Sequence, residues 1–342
     1  MKKIFIRSPY FIEIDEAGQV GSKVELRFYY SGESVPTNAT YTLAKVIASD
    51  SQTNTIYNIS NYAKDFIKPL EPRIVTEPTP EDVNTWCFVQ VKRYKETTIG
   101  NYTLLNTETI VCLNGYSQYL DGYNYSTTAL YVPMFNTEII NYITADRQKY
   151  LNIFLEAEAC QWNTPDGLFS FTPSEPTVYK LPLNNSLTTG NLSQFFQNED
   201  EKFKTIALSV CEPKYTPLIC NFINRYGGWE FLTFFKANSS AIEVNSKDFN
   251  LLPSNVDYNV LQGQKQVYNK QGKQTIKCNT GWVDENYSEL IQDLLLSKTV
   301  LLDNKPAIVK SQNFDVKTSL KDKNINYEIE FEFNYGLIND VI

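Results

Sequence analysis

Tyr327-Glu328-Ile329-Glu330-Phe331-Glu332-Phe333 alternates apolar and acidic residues without error. Strand side chains point to opposite faces with period two. Such a run therefore fits a strand with an apolar, largely aromatic inner face and an acidic outer one. Residues 24–30 and 41–47 carry nearly the same period and are broken by Ser31, Gly32 and Pro36. Both read as half-buried antiparallel strands joined by loops. Residues 86–94, 99–113 and 150–158 are further strand candidates, the last with looser alternation.

The most specific string is Asn224-Arg225-Tyr226-Gly227-Gly228-Trp229-Glu230-Phe231, set between apolar stretches at 218–223 and 231–235. Glycine admits positive φ without steric cost, and the flanking Tyr226 and Trp229 can pack across paired strands, so a hairpin is expected. Gly227-Gly228 lacks the following Lys-Ser/Thr of a phosphate-cradling loop, and no helix begins there. Trp229 and Trp282 read as core anchors, with an interface role second.

Helical signals are few. Asp284 can cap a helix over 285–297, where Tyr287, Leu290, Ile291, Leu294 and Leu295 share one face. Short helical turns are expected at 61–67 and 192–199, and a helix at 137–150. Strands at 299–302, 307–310 and 312–317 follow the 285–297 helix. Prolines 69, 72, 78 and 80 mark 68–80 as a connector. Residues 246–272 are polar, Asn/Gln-rich and weakly patterned, as in an extended excursion reaching a neighbouring subunit.

The expected fold is mainly β: two β-sandwich-like domains with a C-terminal α+β portion and few short helices. The regions are an N-terminal β part (1–70), a middle β region with the Pro-rich connector and a Tyr-rich loop (71–200), and a C-terminal β-rich domain (201–342). A chain of 342 residues is long enough for two or three domains.

Chemistry is sparse. Histidine is absent, which removes Ser-His-Asp and Cys-His hydrolases, His-ligated zinc and imidazole proton shuttles. The six cysteines (87, 112, 160, 211, 220 and 278) form no CxxC, and several sit in apolar runs. They read as buried free thiols made in a reducing compartment. Glu328, Glu330 and Glu332 share a strand face and read as solvated charge guarding a terminal strand. The carboxylates of a glycosidase must flank the bond from two sides, which one row does not do. Asp15-Glu16 and Glu199-Asp200-Glu201 lack a calcium-loop pattern. No catalytic residue, cofactor site or metal site is assigned.

Tyr116, Tyr119, Tyr123 and Tyr125, interleaved with Asn114, Gly115, Asp121 and Asn124, have the texture of a binding loop or subunit interface. With 31 basic against 39 acidic residues, net −8, the chain is a poor candidate for wrapping nucleic acid. Arg7 and Pro9 interrupt the first apolar run, so no export signal is expected, and no stretch reaches the ~20 apolar residues of a membrane span.

Arg225-Tyr226-Gly227-Gly228-Trp229-Glu230-Phe231 is followed by Thr280-Gly281-Trp282, a helix ending Leu-Leu-Leu-Ser, and the closing Glu-Ile-Glu-Phe-Glu-Phe strand. Together with Ile6-Arg7-Ser8-Pro9-Tyr10-Phe11-Ile12 and Asn58-Ile59-Ser60-Asn61-Tyr62, this resembles virion tail proteins of Bacteroidetes phages, in particular the tail ring or connector proteins of crAss-like phages. The likeness runs over 215–335 and 1–70. It implies a non-enzymatic subunit, made in the host cytoplasm, of a homo-oligomeric ring between portal and distal tail. The ring is expected to be twelvefold, as portal-linked rings usually are, with DNA passing unbound through its lumen. Arg225, Tyr226, Gly227, Gly228, Trp229, Trp282, Tyr116, Tyr119 and Tyr123 are then structural or interface residues. Alternatives are a carbohydrate- or receptor-binding tail component using the Tyr-rich loop, and a depolymerase using carboxylates.

Overall fold

The computed structural model describes the chain apart from 49–51, 69–71, 73–74, 82–84, 136–138, 143–148, 157, 165–166, 184–190, 199–200, 211–214, 253–255, 258, 286, 312–323 and 339–342. The fold is mainly β with few helices, as the alternation implied. The chain forms two compact units, the first comprising 1–211, 222–232 and 296–298, and the second the remainder. Residues 1–70 and 71–200 fall together in the first unit. The reason is strand pairing: Gly21–Tyr29 pairs along its whole length with Trp86–Thr98, across the proline-rich connector.

The first unit is layered. One sheet has six strands in the order Tyr41–Val46, Gly21–Tyr29, Trp86–Thr98, Asn101–Leu113, Lys2–Phe5 and Ser126–Thr127. Alternation sends Ile4, Cys87, Val89, Ile110 and Cys112 to one face. That face is closed by the small sheet Phe11–Ile14/Thr55–Asn58 and the turn of helix Ser60–Ala63. The opposite face carries Phe5, Trp86, Phe88, Val111 and Leu113, packed with Phe154 and Val178.

Phe154 and Val178 belong to a second sheet of four strands, ordered Tyr131–Pro133, Tyr150–Leu155, Thr177–Pro182 and Thr79–Pro80. Its odd-numbered Leu151, Ile153, Tyr179 and Leu181 point the other way and join Cys160, Trp162 and Ile206. These last residues come from a five-stranded sheet, in which Asn191–Asn198 pairs with Glu201–Val210 and with Cys160–Thr164. The middle sheet is therefore apolar on both faces, which is why Tyr150–Leu155 and Thr177–Pro182 are wholly buried and lack clean alternation.

Most of the second unit is a seven-stranded sheet ordered Trp229–Phe234, Leu218–Ile223, Val300–Leu302, Lys305–Val309, Asn324–Phe333, Lys265–Asp284 and Ser239–Asn250, of which 222–223 and 229–232 count with the first unit. Ile325, Tyr327, Ile329, Phe331 and Phe333 are all buried, matching the period-two reading. The helix Tyr287–Leu296 buries Tyr287, Leu290, Ile291 and Leu294.

Several expectations are corrected. Residues 192–199 were expected to be helical, but Asn191–Asn198 is a strand, because ladder pairing on both sides outweighs its weak local signal. The expected 137–150 helix contains instead the strand Ile139–Tyr142, parallel to Glu201–Val210. The expected strand at 312–317 lies outside the described residues. Asn324–Phe333 is an interior strand, so Glu328, Glu330 and Glu332 do not guard an edge. Glu332 instead pairs with Lys273 at 2.8 Å and Lys310 at 3.1 Å on flanking strands, and Glu330 lies 3.8 Å from Lys277.

Candidate functional site

The Gly-Gly-Trp hairpin is where the sequence signal coincides with a network of buried polar side chains. Strands Leu218–Ile223 and Trp229–Phe234 are joined through a turn closed by Asn224 N–H donating to the Gly228 carbonyl at 3.0 Å. Gly227 N–H returns to the Asn224 carbonyl at 3.2 Å. Gly227 sits at φ +86°, a left-handed conformation that side chains resist. A Cβ there would also lie 2.6 Å from the Asn114 backbone, and one on Gly228 would lie 2.4 Å from the Met134 carbonyl oxygen. The first glycine is demanded by turn geometry and close approach, the second by close approach alone.

Asn224 is fully buried and locks the turn. Its Oδ1 accepts from Tyr226 N–H (2.9 Å) and Gly228 N–H (3.1 Å). Its Nδ2 donates to the Met134 carbonyl and to Glu230 Oε2, both at 2.8 Å. Trp229 N–H donates to Asn152 Oδ1 at 2.8 Å, and Asn152 Nδ2 donates to Glu81 Oε2 at 2.6 Å. Lys180 stands 3.5 Å from the other oxygen of Glu81. Asn152 and Lys180 are register partners, and their even-numbered positions put them on the same face as Phe154 and Val178.

Glu81, Asn152, Lys180, Asn224 and Glu230 are all buried, so this is a desolvated network joined to a turn. Buried polar groups of this kind are tolerated only when hydrogen-bonded, and once satisfied they fix one arrangement of the chain. Two carboxylates, an ammonium and two amides held to one another and to backbone can orient a hairpin.

Structure places the candidate residues in three groups. Arg225, Tyr226 and Tyr116 come together: Tyr116 N–H donates to the Arg225 carbonyl at 2.7 Å, and Arg225 donates to the Tyr226 hydroxyl at 2.5 Å. The Tyr226 ring meets Phe5 edge-on at 6.0 Å, and the Arg7 guanidinium lies 4.6 Å from the Tyr116 ring. With Gly227, Gly228 and the buried Trp229, these residues form the packed hairpin tip. Tyr119 and Tyr123 stay outside, 98% and 73% exposed, on a loop containing the single turn Tyr119–Asp121. Tyr125, from the same loop, instead stacks on Phe5 with centroids 3.9 Å apart.

Trp282 departs from the core-anchor reading, being 68% exposed. Gly281 takes φ +71° within a bulge between Asn279 and Trp282, which shifts the register and turns the indole outward. The interface reading of Trp282 remains. Thr280, buried, holds the bulge by accepting from Tyr327 N–H at 3.0 Å.

Sequence reading missed the form of 246–272. Ser239–Asn250 and Lys265–Asp284 pair as one long antiparallel ribbon, and every residue of Ser239–Asn250 is exposed. Twelve strand residues span about 40 Å at ~3.4 Å each. Ile242 and Val244 share one face of the ribbon, while Phe249 and Tyr268 meet edge-on at 5.7 Å. Leu252, Val256, Val260 and Leu261 stand almost fully exposed at its end. Beyond Thr275, where Lys265–Asp284 leaves its pairing with Asn324–Phe333, most of the ribbon is exposed on both faces and carries no hydrophobic period, so length of polar sequence between two turns was the only available signal.

The cysteines follow their expectation where described: Cys87, Cys112, Cys160, Cys220 and Cys278 are free and buried, and Cys211 lies outside the described residues. Burial pushes the Cys160 thiol to about 11 and the Cys278 thiol to about 12, so neither is a thiolate at neutral pH. Among the described residues, no group of three or more His, Cys, Asp or Glu side chains is arranged to hold a metal ion, and no helix is long and apolar enough to cross a membrane.

No protein-family model matches the chain, and no curated protein matches it with significant similarity.

Proposed function

We propose that the chain is a non-enzymatic structural subunit of a phage virion tail, assembling with further copies into a ring that links portal-proximal and distal parts around the DNA channel. The observation that carries this reading is the ribbon Ser239–Asn250/Lys265–Asp284 with its exposed apolar end. Over 242–250 and 265–274, past the pairing of Thr275–Asp284 with Asn324–Phe333, the two strands have no third strand beside them; such a pair in water is marginal, and its exposed apolar side chains gain by being covered. Three further features support it. The net charge of −8 disfavours adhesion to a passing polyanion. The buried polar groups around Asn224 are engaged in fixing a hairpin. The residues carrying the tail-protein resemblance, Arg225 to Trp229, are those that build that packed tip. Repeated heterologous contacts close into a ring when the rotation permits, and twelvefold symmetry would match a portal.

Negative-stain imaging and mass photometry of the purified chain test this, with closed multimers expected. Discrete monomers or trimers at high concentration, with binding on a glycan array, would overturn it. That outcome would favour the second reading, a carbohydrate- or receptor-binding tail component, for which exposed Tyr119 and Tyr123 provide stacking faces.

A further inference from the structure

We infer that the ribbon is an arm that docks on the body of a second copy of this chain, and not on that copy's ribbon. This rests on the assembly reading above and gives it a polarity: each copy donates one arm and accepts another.

Charge selects the occupant. Over 242–274, clear of Asn324–Phe333, the arm carries Lys247, Lys265, Lys270 and Lys273 against Glu243, Asp248 and Asp257, a net of +1. The whole chain is −8, so everything outside the arm sums to −9. Two arms brought together repel, whereas an arm brought to another copy's body is attracted, and complementary potentials of this kind set both partner and register.

Area agrees. Clear of Asn324–Phe333 the ribbon runs over 242–250 and 265–274, about 30 Å long and roughly 10 Å wide, on the order of 300 Å² per face. Both faces together with the apolar end approach the ~800 Å² per partner typical of a stable interface. The apolar end residues Leu252, Val256, Val260 and Leu261 are suited to be the anchors, since they are nearly fully exposed and their burial would supply the apolar core of the contact. The ladder shifts register between Asn245 and Lys247, where Asn269 takes φ +50°, and such a bulge twists the ribbon out of the flat geometry that edge-to-edge pairing needs.

The test uses the full chain and a variant with Leu252→Ser, Val256→Ser, Val260→Ser and Leu261→Ser, substitutions at exposed positions that leave charge unchanged. Self-association is read by sedimentation velocity and mass photometry, with melting temperature as the control for folding. The native chain is expected to form multimers that weaken as salt is raised. The variant alone should associate at least about tenfold more weakly, a loss of about 1.4 kcal/mol. Mixed with the native chain, it should cap growing assemblies, because it accepts an arm but donates none.

A variant that assembles like the native chain removes the arm from the contact and leaves the ring reading standing. A variant that is monomeric yet inert in the mixture shows ribbon pairing with ribbon and overturns the inference. A native chain that stays monomeric at every concentration overturns the second copy as occupant. Native assemblies that need the arm but never close retain the inference and sink the ring.

Discussion

Replacing Asn224 with alanine removes the residue to which four hydrogen bonds of the hairpin tip converge. Gly228 N–H and the Met134 carbonyl are buried and would lose their Asn224 partner. Glu230, itself buried, would lose a charge-assisted bond. Each unsatisfied buried group costs about 1–3 kcal/mol, and a hydrogen bond to a charge is worth about 1.5–3 kcal/mol. Water entering the vacated volume recovers part of this, so the net loss is about 4 kcal/mol. For a unit of more than 200 residues this corresponds to roughly 8–16 °C in melting temperature. Differential scanning calorimetry of the variant against the native chain, at one pH, is the assay. Asn224→Asp sharpens it: the acceptor for both N–H groups is kept, but a second carboxylate faces Glu230. Like charges at that distance raise one of the two pKa values, so this variant should regain stability as pH falls. A shift below about 2 °C for Asn224→Ala would refute the view that the network holds the turn.

Other expectations follow from the same coordinates. Gly227→Ala combines a left-handed φ with a 2.6 Å approach to the Asn114 backbone, and should cost about 3 kcal/mol in urea unfolding. Glu156 pairs with Lys3, which is fully buried; Glu156→Gln strands that ammonium and should cost about 3 kcal/mol near neutral pH. Burial alone would raise the Glu156 pKa, but hydrogen bonds from Lys3 and the Met1 amino group outweigh it and lower the value. The stabilisation is therefore complete above the unfolded pKa of about 4.3 and is lost as pH falls through the depressed folded value, so the native and Glu156→Gln chains should converge in acid. Trp282→Ser should change unfolding free energy by less than about 0.5 kcal/mol, since the indole is largely in water; a loss of several times that would restore the core reading.

Much of the fold was legible because alternation reports burial on one face. Residues 24–30 and 327–333 lie against a core mainly on one side, and the period survives in the sequence, whereas 86–89, covered on both faces, is a continuous apolar run. Where both faces are covered, as in Tyr150–Leu155, the period disappears and only apolar content remains. Asn191–Asn198 read as helical because its strand identity comes from partners elsewhere in the chain, above all Glu201–Val210. The Gly-Gly turn was visible, but the network supporting it was not: Asn152 and Glu81 are 71 positions apart, and Trp229 and Asn152 are 77 apart. Nothing local marks Glu81 or Lys180 as buried. Trp282 misled because one positive-φ glycine, Gly281, reversed the face on which it lies.

Imaging of the purified chain, together with mass photometry at increasing concentration, tests ring assembly most directly. One dominant closed multimer with a central channel is expected, its population falling as salt rises. Particles that remain single subunits or trimers throughout, while retaining the native melting temperature, would contradict it.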